Sequence, residues 1–207
     1  MMTRRQIAAG AVATVIAGRA VAQPSLLLPT PPATRGPFYP AAFPDDIDAD
    51  LVVLRGAESQ ALGVVTHLTG RVVGTDGTPL QAAVEIWQCD ANGRYHHPAD
   101  RGGRAPDAGF QGYGRVMTGA DGTYRFRTIR PVAYPGRTPH IHVGVQAPGR
   151  RPLVTQMYVA GDAANAGDFL YRSLGSAQAQ AAVTVALLPA NGIEERALAG
   201  RFDIVLS

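Results

Sequence analysis

Short segments in which apolar and polar residues alternate recur along the chain from residue 63 onward. Residues 83–88 (AVEIWQ) place Val84 and Ile86 on one side and Glu85 and Trp87 on the other, which is the two-residue period of a strand. Similar patterns predict strands over residues 67–74, 113–118, 123–129, 140–146, 153–159 and 201–206. One short helix is predicted, over residues 177–187.

Turn signals such as Asp76-Gly77 separate these segments. The 24 glycines and 16 prolines of the chain suit many short strands joined by tight turns. The predicted fold is therefore all-β, a β-sandwich of mainly antiparallel strands with little helix. Residues 107–114 and 130–139 are predicted as long loops, and loops on a rigid sandwich are where an active site usually lies.

The composition suits one domain with a sizeable core, since 46% of the 207 residues are hydrophobic and 17% are charged. The formal net charge is +3, and Arg4, Arg5 and Arg19 lie within residues 1–22, which contain no acidic residue. Subtracting these 3 charges from +3 leaves a formal charge of 0 for the remainder. Because no Lys/Arg-rich run is left to follow a phosphate backbone, the charge pattern excludes a nucleic-acid partner.

Residues 1–22 are predicted to be a signal peptide. A charged start with Arg4-Arg5 is followed by an apolar stretch too short to span a membrane and by a final Ala-x-Ala. The arginine pair resembles a twin-arginine signal, although Ile7 stands where an aromatic residue is more usual. We expect an exported protein, periplasmic or extracellular, with no membrane attachment in its mature form. The alternative is a basic N-terminal helix that is never removed.

Residues 23–34 are rich in Pro and Ala and are predicted as a tether, followed by one folded domain over residues 35–207. The chain has a single cysteine, Cys89, so no intramolecular disulfide can form. Packing and a metal ion are left as sources of stability for an exported fold.

Two histidines, His140 and His142, flank Ile141 inside a predicted strand. Side chains at positions i and i+2 of a strand project from the same face, so both imidazoles can reach one ion. Imidazole suits Zn, Cu, Fe and Ni. The pattern alone does not identify a metal site, because two polar positions facing solvent would give the same sequence.

Segments elsewhere in the chain change this interpretation. They read RGPFYP at 35–40, EIWQCD at 85–90, GRYHH at 93–97, GYGR at 112–115, GTYRFRTI at 122–129, RPVAYPGRTP at 130–139, TQMY at 155–158 and RFDIVL at 201–206. Together with the histidine pair, and in this order, they resemble the intradiol ring-cleavage dioxygenases. The short segment before residue 35 and the RFDIVL ending resemble the protocatechuate 3,4-dioxygenase branch of that family.

The resemblance implies a non-haem enzyme with one Fe(III) per chain. Its ligands, carried over by position, are Tyr95, Tyr134, His140 and His142. Tyrosine oxygen is a hard anionic donor, and a trivalent cation deprotonates it although its free pKa is about 10. The implied reaction uses O2 to open a catechol-type, protocatechuate-like ring between its two hydroxylated carbons. The product is a cis,cis-muconate-type diacid, and no organic cofactor is implied.

The resemblance also implies catalytic roles. Tyr134 is the axial ligand that leaves the metal when the diol binds, and it accepts a substrate proton. Arg137 stabilises negative charge on the bound substrate, and Gln156 hydrogen bonds near the substrate or a ligand. His96 and His97 are interpreted as neighbours of the site or surface residues that do not bind the metal.

Three alternatives remain open. Residues 69–87 also resemble transthyretin-like sandwich modules that bind rather than catalyse. A zinc or copper enzyme would use the same histidines, and a subunit without activity would keep the same fold. The complete ligand set argues against each of them. The sequence also leaves open a homo-oligomer or a homologous partner subunit.

Overall fold

The computed structural model of the chain describes residues 26–207. The predicted signal peptide, residues 1–22, lies outside the described residues, as does the start of the predicted tether. Within residues 26–207, no helix combines the length and the apolar character needed to span a membrane.

The described residues form ten strands and three short helical segments. The strands are β1 (Val65–Gly74), β2 (Ala83–Trp87), β3 (Tyr113–Met117), β4 (Thr123–Ile129), β5 (His140–Gln146), β6 (Leu153–Val159), β7 (Thr184–Val185), β8 (Leu188–Pro189), β9 (Leu198–Arg201) and β10 (Ile204–Leu206). A 3-10 helix (Ala163–Gly167) precedes α1 (Phe169–Ser173) and α2 (Ala177–Ala182).

The strands form two five-stranded sheets that enclose a common core. In the first sheet, β1 pairs with β4 along one edge and with β9 and then β10 along the other, and β8 pairs with β9. The second sheet has the order β3-β2-β5-β6-β7. Most of these pairings are antiparallel. The predicted all-β sandwich is therefore confirmed.

Alternate positions of the strands fill the space between the sheets. Val84 and Ile86 on β2 are fully buried there, as are Ile141 on β5 and Leu68 on β1. Burying an aliphatic side chain of this size stabilises the fold by about 1.5–3 kcal/mol, so this layer is the main source of stability.

A second apolar cluster lies on the opposite face of the second sheet. Trp87, at the end of β2, packs there with Tyr95 and Tyr113. Because β2 and β5 pair Trp87 with His142, the histidines of β5 also point to this outer face, whereas Ile141 points into the core. The histidine pair thus lies beneath the loops that connect the strands.

The strand predicted over residues 201–206 is divided in the structure. Phe202 turns into the core, and its N–H donates to the carbonyl oxygen of Thr69 at 2.8 Å. The carboxylate of Asp203 accepts the N–H of Arg71 at 2.9 Å. These contacts interrupt the regular ladder and separate β9 from β10, although both pair with β1.

The helix predicted over residues 177–187 is shorter than expected and ends at Ala182. Thr184 and Val185 instead pair with β6 in parallel. This pairing joins segments that are distant in sequence, and such tertiary contacts override local helix propensity.

Residues 26–34, the described part of the predicted tether, run against both sheets. Their backbone N–H groups donate to carbonyl oxygens of the domain in the pairs Leu27–Thr75 (2.7 Å), Thr30–Val205 (3.0 Å) and Ala33–Val154 (2.8 Å). The hydroxyl of Thr155 donates to the carbonyl oxygen of Pro31 at 2.7 Å. The chain is therefore fixed in direction where it reaches residues 36–38 beside the histidine pair.

Candidate metal centre

The histidines of β5 form the buried floor of the candidate site. His140 is 1% exposed and His142 is 2% exposed, and their Nε2 atoms lie 3.3 Å apart. The Nδ1 of His140 lies 2.7 Å from the carbonyl oxygen of Thr138. A carbonyl oxygen can only accept, so Nδ1 carries the proton and Nε2 of His140 presents its lone pair to the site.

Both imidazoles are held in the neutral form that binds metals. Burial lowers the pKa of His140 to about 4, and the positive charge of Arg137 adds to this effect. Burial also lowers the pKa of His142 well below its usual value, with His140 and Arg137 contributing. Neutral imidazole nitrogen is a ready metal ligand at neutral pH.

The two tyrosines named from the sequence face these histidines from separate loops. Tyr95 lies between β2 and β3, and Tyr134 lies between β4 and β5. The Tyr95 and Tyr134 ring centroids are 5.5 Å apart. The Tyr134 ring is 5.5 Å from that of His140, and the Tyr95 ring is 6.1 Å from that of His142. The structure thus brings all four predicted ligands together.

The hydroxyl groups of these tyrosines sit in different surroundings. Tyr95 is 3% exposed, and its hydroxyl is buried without a hydrogen-bond partner among the described residues. Tyr134 is half-buried, and its hydroxyl oxygen is 3.4 Å from Nη1 of Arg137. Burial raises the pKa of Tyr95 well above 10 and also raises that of Tyr134, whose shift is opposed by Arg137. Neither phenol would ionise at neutral pH without a metal cation bound at its oxygen.

The loop that carries Tyr95 is tied down by carboxylates. The backbone N–H of Tyr95 donates to Asp100 at 2.7 Å. Asp90 is fully buried and accepts the backbone N–H groups of Asn92, Arg94 and Asp107 at 2.8, 2.9 and 2.6 Å. These bonds hold the turn in one conformation, so the Tyr95 side chain is delivered to a fixed place.

Aromatic rings and a glycine close the site around the ligands. Phe38 stacks on Tyr95 with a centroid distance of 4.7 Å and makes a T-shaped contact with Tyr134 at 6.1 Å. Gly36 adopts a φ of +73°, and a Cβ there would lie 3.3 Å from Cε1 of His142. A side chain at this position would be strained and would press on the imidazole. The glycine therefore allows residues 36–38 to pass close over the histidines.

The arrangement fits a hard trivalent metal ion. No group of three or more His, Cys, Asp or Glu side chains is positioned to hold a metal within residues 26–207, so the tyrosines must complete any donor set here. Buried polar atoms are normally hydrogen bonded, and the unpartnered hydroxyl of Tyr95 beside two neutral imidazoles lacks such a bond. A cation bound there would satisfy it. Two phenolate oxygens and two imidazole nitrogens suit Fe(III).

Arg137 and Gln156 also lie at the site. Nη1 of Arg137 is 3.4 Å from Nε2 of His140, and Nη2 donates to Oε1 of Gln156 at 2.6 Å. Gln156 is buried on β6 opposite His142, and its Nε2 donates to the carbonyl oxygen of Thr34 at 3.2 Å. The guanidinium thus places positive charge next to the ligand cluster.

His96 and His97 were predicted not to bind the metal, and Asp168 was not identified from the sequence. His96 is exposed and lies 3.8 Å from Asp90, and the ring of His97 lies 5.9 Å from that of Phe38, so these side-chain contacts are with residues other than the four candidate ligands. Sequence reasoning missed Asp168, which forms an ion pair with Arg137 at 2.8 Å. An aspartate ahead of a helix is a capping signal, but its contact with a residue 31 positions away has no local signature.

Comparisons with known proteins agree with the family resemblance of the sequence. A family model described as Dioxygenase matches residues 34–207. The protocatechuate 3,4-dioxygenase beta chain of Burkholderia cepacia is 39% identical over 181 residues, which cover 82% of this chain and 76% of that protein. The catechol 1,2-dioxygenase of Acinetobacter baylyi is 32% identical over 161 residues, 69% of this chain and 50% of that protein. The chain thus spans about half the length of the catechol 1,2-dioxygenase it matches.

Solved structures show the same architecture. The dioxygenase domain of a carbohydrate-binding fusion protein from Streptomyces sp. SirexAA-E is 34% identical, with a TM-score of 0.65 and coverage of 86% of this chain and 98% of that chain. An intradiol ring-cleavage dioxygenase from Tetranychus urticae is 22% identical with a TM-score of 0.67, over 87% of this chain and 95% of that chain. The second likeness concerns the fold alone.

Proposed function

Because the chain belongs to the intradiol ring-cleavage dioxygenase family, we propose that it uses one Fe(III) and O2 to open a catechol-type ring between the two hydroxylated carbons. Both oxygen atoms enter the product, a cis,cis-muconate-type diacid. The observation that most supports this is the convergence of Tyr95, Tyr134, His140 and His142 at one buried place. Membership of this enzyme family argues against a purely binding, transthyretin-like module.

In this proposal the four side chains hold the iron. When bound, Fe(III) supplies the Lewis acidity that ionises the diol and the redox character that lets the ring react with O2. Tyr95 would remain a ligand throughout, since it is buried, stacked against Phe38 and fixed through Asp100.

Tyr134 would be the second phenolate ligand, and we assign it the role of proton acceptor when the substrate diol takes its place. It is half-buried in a loop, and burial raises the pKa of its phenol, so its tyrosinate, when free of the metal, would readily take a proton from a substrate hydroxyl. Nη1 of Arg137 lies within 3.4 Å of its oxygen. The guanidinium would therefore stabilise the Tyr134 phenolate while that side chain is charged.

Arg137 then stabilises the negative charge that builds on the ionised substrate. Its guanidinium is nearly buried, with 8% side-chain exposure, so its field is less screened than that of a surface arginine. Gln156 accepts from Nη2 at 2.6 Å and keeps that side of the guanidinium in place. This is the role that we propose for both residues.

We propose a protocatechuate-like catechol as the substrate because the relative with 39% identity is a protocatechuate 3,4-dioxygenase beta chain. The same similarity supports assembly with copies of the chain or with a homologous chain, which mass photometry of the purified protein would test. The β-sandwich fold alone specifies neither the substrate nor the assembly, since the same fold serves many different functions.

We further propose that residues 1–22 direct export through the twin-arginine route. Replacing Arg4 and Arg5 together by lysine should leave the protein in the cytoplasmic fraction in a bacterial host, while the unchanged chain reaches the periplasm or the medium. Equal export of both chains would contradict the route.

The decisive experiment combines metal content with the visible spectrum. Purified protein should contain one iron per chain and show a broad tyrosinate-to-iron band, which shifts when catechol or protocatechuate is added without O2. Admitting O2 should consume one equivalent per ring and yield the diacid. Bound zinc or copper, or a colourless protein after iron is supplied, would contradict the proposal.

Variants connect the spectrum to particular side chains. Tyr134→Phe should retain the fold but alter the band and the turnover. Tyr171→Phe is the matched control, because the hydroxyl of Tyr171 bonds to Thr184 at 3.1 Å and to none of the four candidate ligands. An unchanged spectrum in Tyr134→Phe would remove that residue from the ligand set.

A further inference from the structure

Asp168 is a buried carboxylate at the junction between the 3-10 helix and α1. Its residue exposure is 2%, and its backbone is extended, with φ −75° and ψ 124°. Oδ1 accepts the backbone N–H groups of Leu170 at 3.0 Å and Tyr171 at 2.9 Å, which caps α1. This oxygen has a local, structural task.

The second oxygen of Asp168 contacts the loop that precedes β5. Oδ2 accepts Nε of Arg137 at 2.8 Å and the backbone N–H of Thr138 at 3.0 Å. The ion pair is shielded from solvent, since the side-chain exposures are 0% for Asp168 and 8% for Arg137. One side chain therefore joins the start of a helix to the arginine beside the candidate ligands.

The planarity of the guanidinium makes this contact directional. Asp168 holds Nε, and Gln156 holds Nη2 at 2.6 Å. With two of its three nitrogens fixed, the rigid group has a set plane. Nη1 then points at the hydroxyl of Tyr134 and Nε2 of His140, each at 3.4 Å.

A neighbouring hydrogen bond anchors the same loop to the same segment. The hydroxyl of Thr138 donates to Oδ1 of Asn165 at 2.8 Å, and Nδ2 of Asn165 donates to the carbonyl oxygen of Val159 at 2.8 Å. Both Thr138 and Asn165 are buried. The segment after β6 therefore bonds to two adjacent residues of this loop, Arg137 and Thr138, and these bonds hold the loop in one position.

We propose that Asp168 is a positioning residue that orients the guanidinium of Arg137 toward the Tyr134 and His140 side of the site. The inference rests on the function proposed above, because it gives the orientation of Arg137 a catalytic purpose. A purely structural ion pair would support stability without setting the turnover.

Asp168→Asn separates the two tasks of this side chain. Its carbonyl oxygen can still accept from Leu170 and Tyr171, whereas its NH2 group cannot accept from Arg137 or Thr138. The matched control is Asp162→Asn, since Asp162 caps the 3-10 helix by accepting the N–H of Ala164 at 2.9 Å and has no bond to Arg137.

The expected result is a loss of turnover with the metal retained. Asp168→Asn should keep the iron content and the visible band of the unchanged protein, while kcat falls by about a hundredfold, the effect of misplacing a catalytic group by about 1 Å. KM should change much less. Asp162→Asn should keep kcat within about twofold, because a surface cap acts on stability alone. Normal kcat in Asp168→Asn would overturn the proposal.

A double-mutant cycle tests whether the effect passes through Arg137. If it does, adding Asp168→Asn to Arg137→Ala causes no further loss of kcat, whereas two independent effects multiply. Multiplied losses would overturn the positioning role. Arg137→Lys offers a second route if Asp168→Asn folds poorly, since it keeps the charge but lacks the Nε donor. Full kcat in that variant would show that a fixed guanidinium is not required.

The four proteins of the cycle are the unchanged protein, Asp168→Asn, Arg137→Ala and the double variant. Stripped of iron, they give a readout that does not depend on catalysis. Their urea midpoints should shift non-additively, because Arg137 and Asp168 are in direct contact. Additive shifts would overturn the pairing itself. If the unchanged protein lacks the tyrosinate band and turnover, the proposed function fails, and this cycle still reports separately on the coupling of the two residues.

Discussion

The indole of Trp87 lies flat against the imidazole of His142, with ring centroids 4.9 Å apart and an interplanar angle of 9°. Both side chains are buried, and the pairing of β2 with β5 keeps them in register. The stack fixes the plane of the imidazole and so restricts the direction in which Nε2 faces. Trp87 therefore forms a rigid wall behind the candidate metal centre.

Replacing Trp87 should affect stability and metal binding together. Trp87→Ala leaves a cavity and should lower the free energy of unfolding by about 3–5 kcal/mol. It should also lower the iron content after dialysis, since His142 loses its support. Trp87→Phe keeps an aromatic face and serves as the control, with most of the iron retained. Full iron content in a folded Trp87→Ala protein would show that the stack is dispensable.

Tyr95→Phe should change stability in opposite directions with and without iron. In iron-free protein the substitution removes a buried hydroxyl that has no partner among the described residues, so unfolding should become harder by about 1–3 kcal/mol. In iron-loaded protein the same change removes a ligand and should lower the melting temperature. Thermal denaturation of both forms tests this, and a loss of stability in the iron-free variant would contradict the first part.

The sequence pattern predicted much of the fold, for reasons visible in particular elements. The strands over residues 123–129, 140–146 and 153–159 have the predicted bounds, because alternation and turn residues are local signals. The break between β9 and β10 was not predictable, since it depends on Phe202 meeting Thr69 across the sheet. Side-chain alternation likewise predicted the shared face of His140 and His142.

The candidate site was named from family resemblance more than from pattern. Tyr95 and Tyr134 lie in loops without periodicity, so only their matching segments distinguished them from packing tyrosines. Asp168 had no such segment to mark it, and its link to Arg137 arises from tertiary folding. The face on which a strand residue lies is therefore encoded locally in the sequence, whereas a contact between distant loops is not.

Asp90 should make stability depend on pH in the acid range. Burial alone would raise its pKa, but His96 and the backbone N–H groups of Asp107, Arg94 and Asn92 outweigh that effect and leave the pKa below 3.8. A depressed carboxylate pKa stabilises the fold above the unfolded value of about 3.9, and this contribution is lost as the pH falls through the folded value.

Asp90→Asn tests this contribution directly. At pH 7 the variant should be less stable by about 1–3 kcal/mol, because the amide cannot accept all of the backbone N–H groups that the carboxylate accepts. In urea denaturation from pH 7 down to pH 3, the gap between the variant and the unchanged protein should narrow below about pH 4. The exposed Asp45→Asn serves as the control. A constant gap across this range would mean that the charge of Asp90 is not involved.

Removal of residues 1–34 should destabilise the domain, whereas removal of residues 1–22 should not. Residues 26–34 bond to both sheets, and the carbonyl oxygen of Thr34 accepts from Gln156 at 3.2 Å. Losing these bonds leaves buried groups unpaired at about 1–3 kcal/mol each, so the urea midpoint of the shorter protein should fall clearly.

Thr30→Val gives a milder comparison, because it removes only the hydroxyl that accepts the N–H of Val205 at 2.9 Å. Equal midpoints for the two truncated proteins would show that this segment is a free tether. A lower midpoint for the shorter protein, together with reduced turnover, would show that the segment supports Gln156 and belongs to the folded domain.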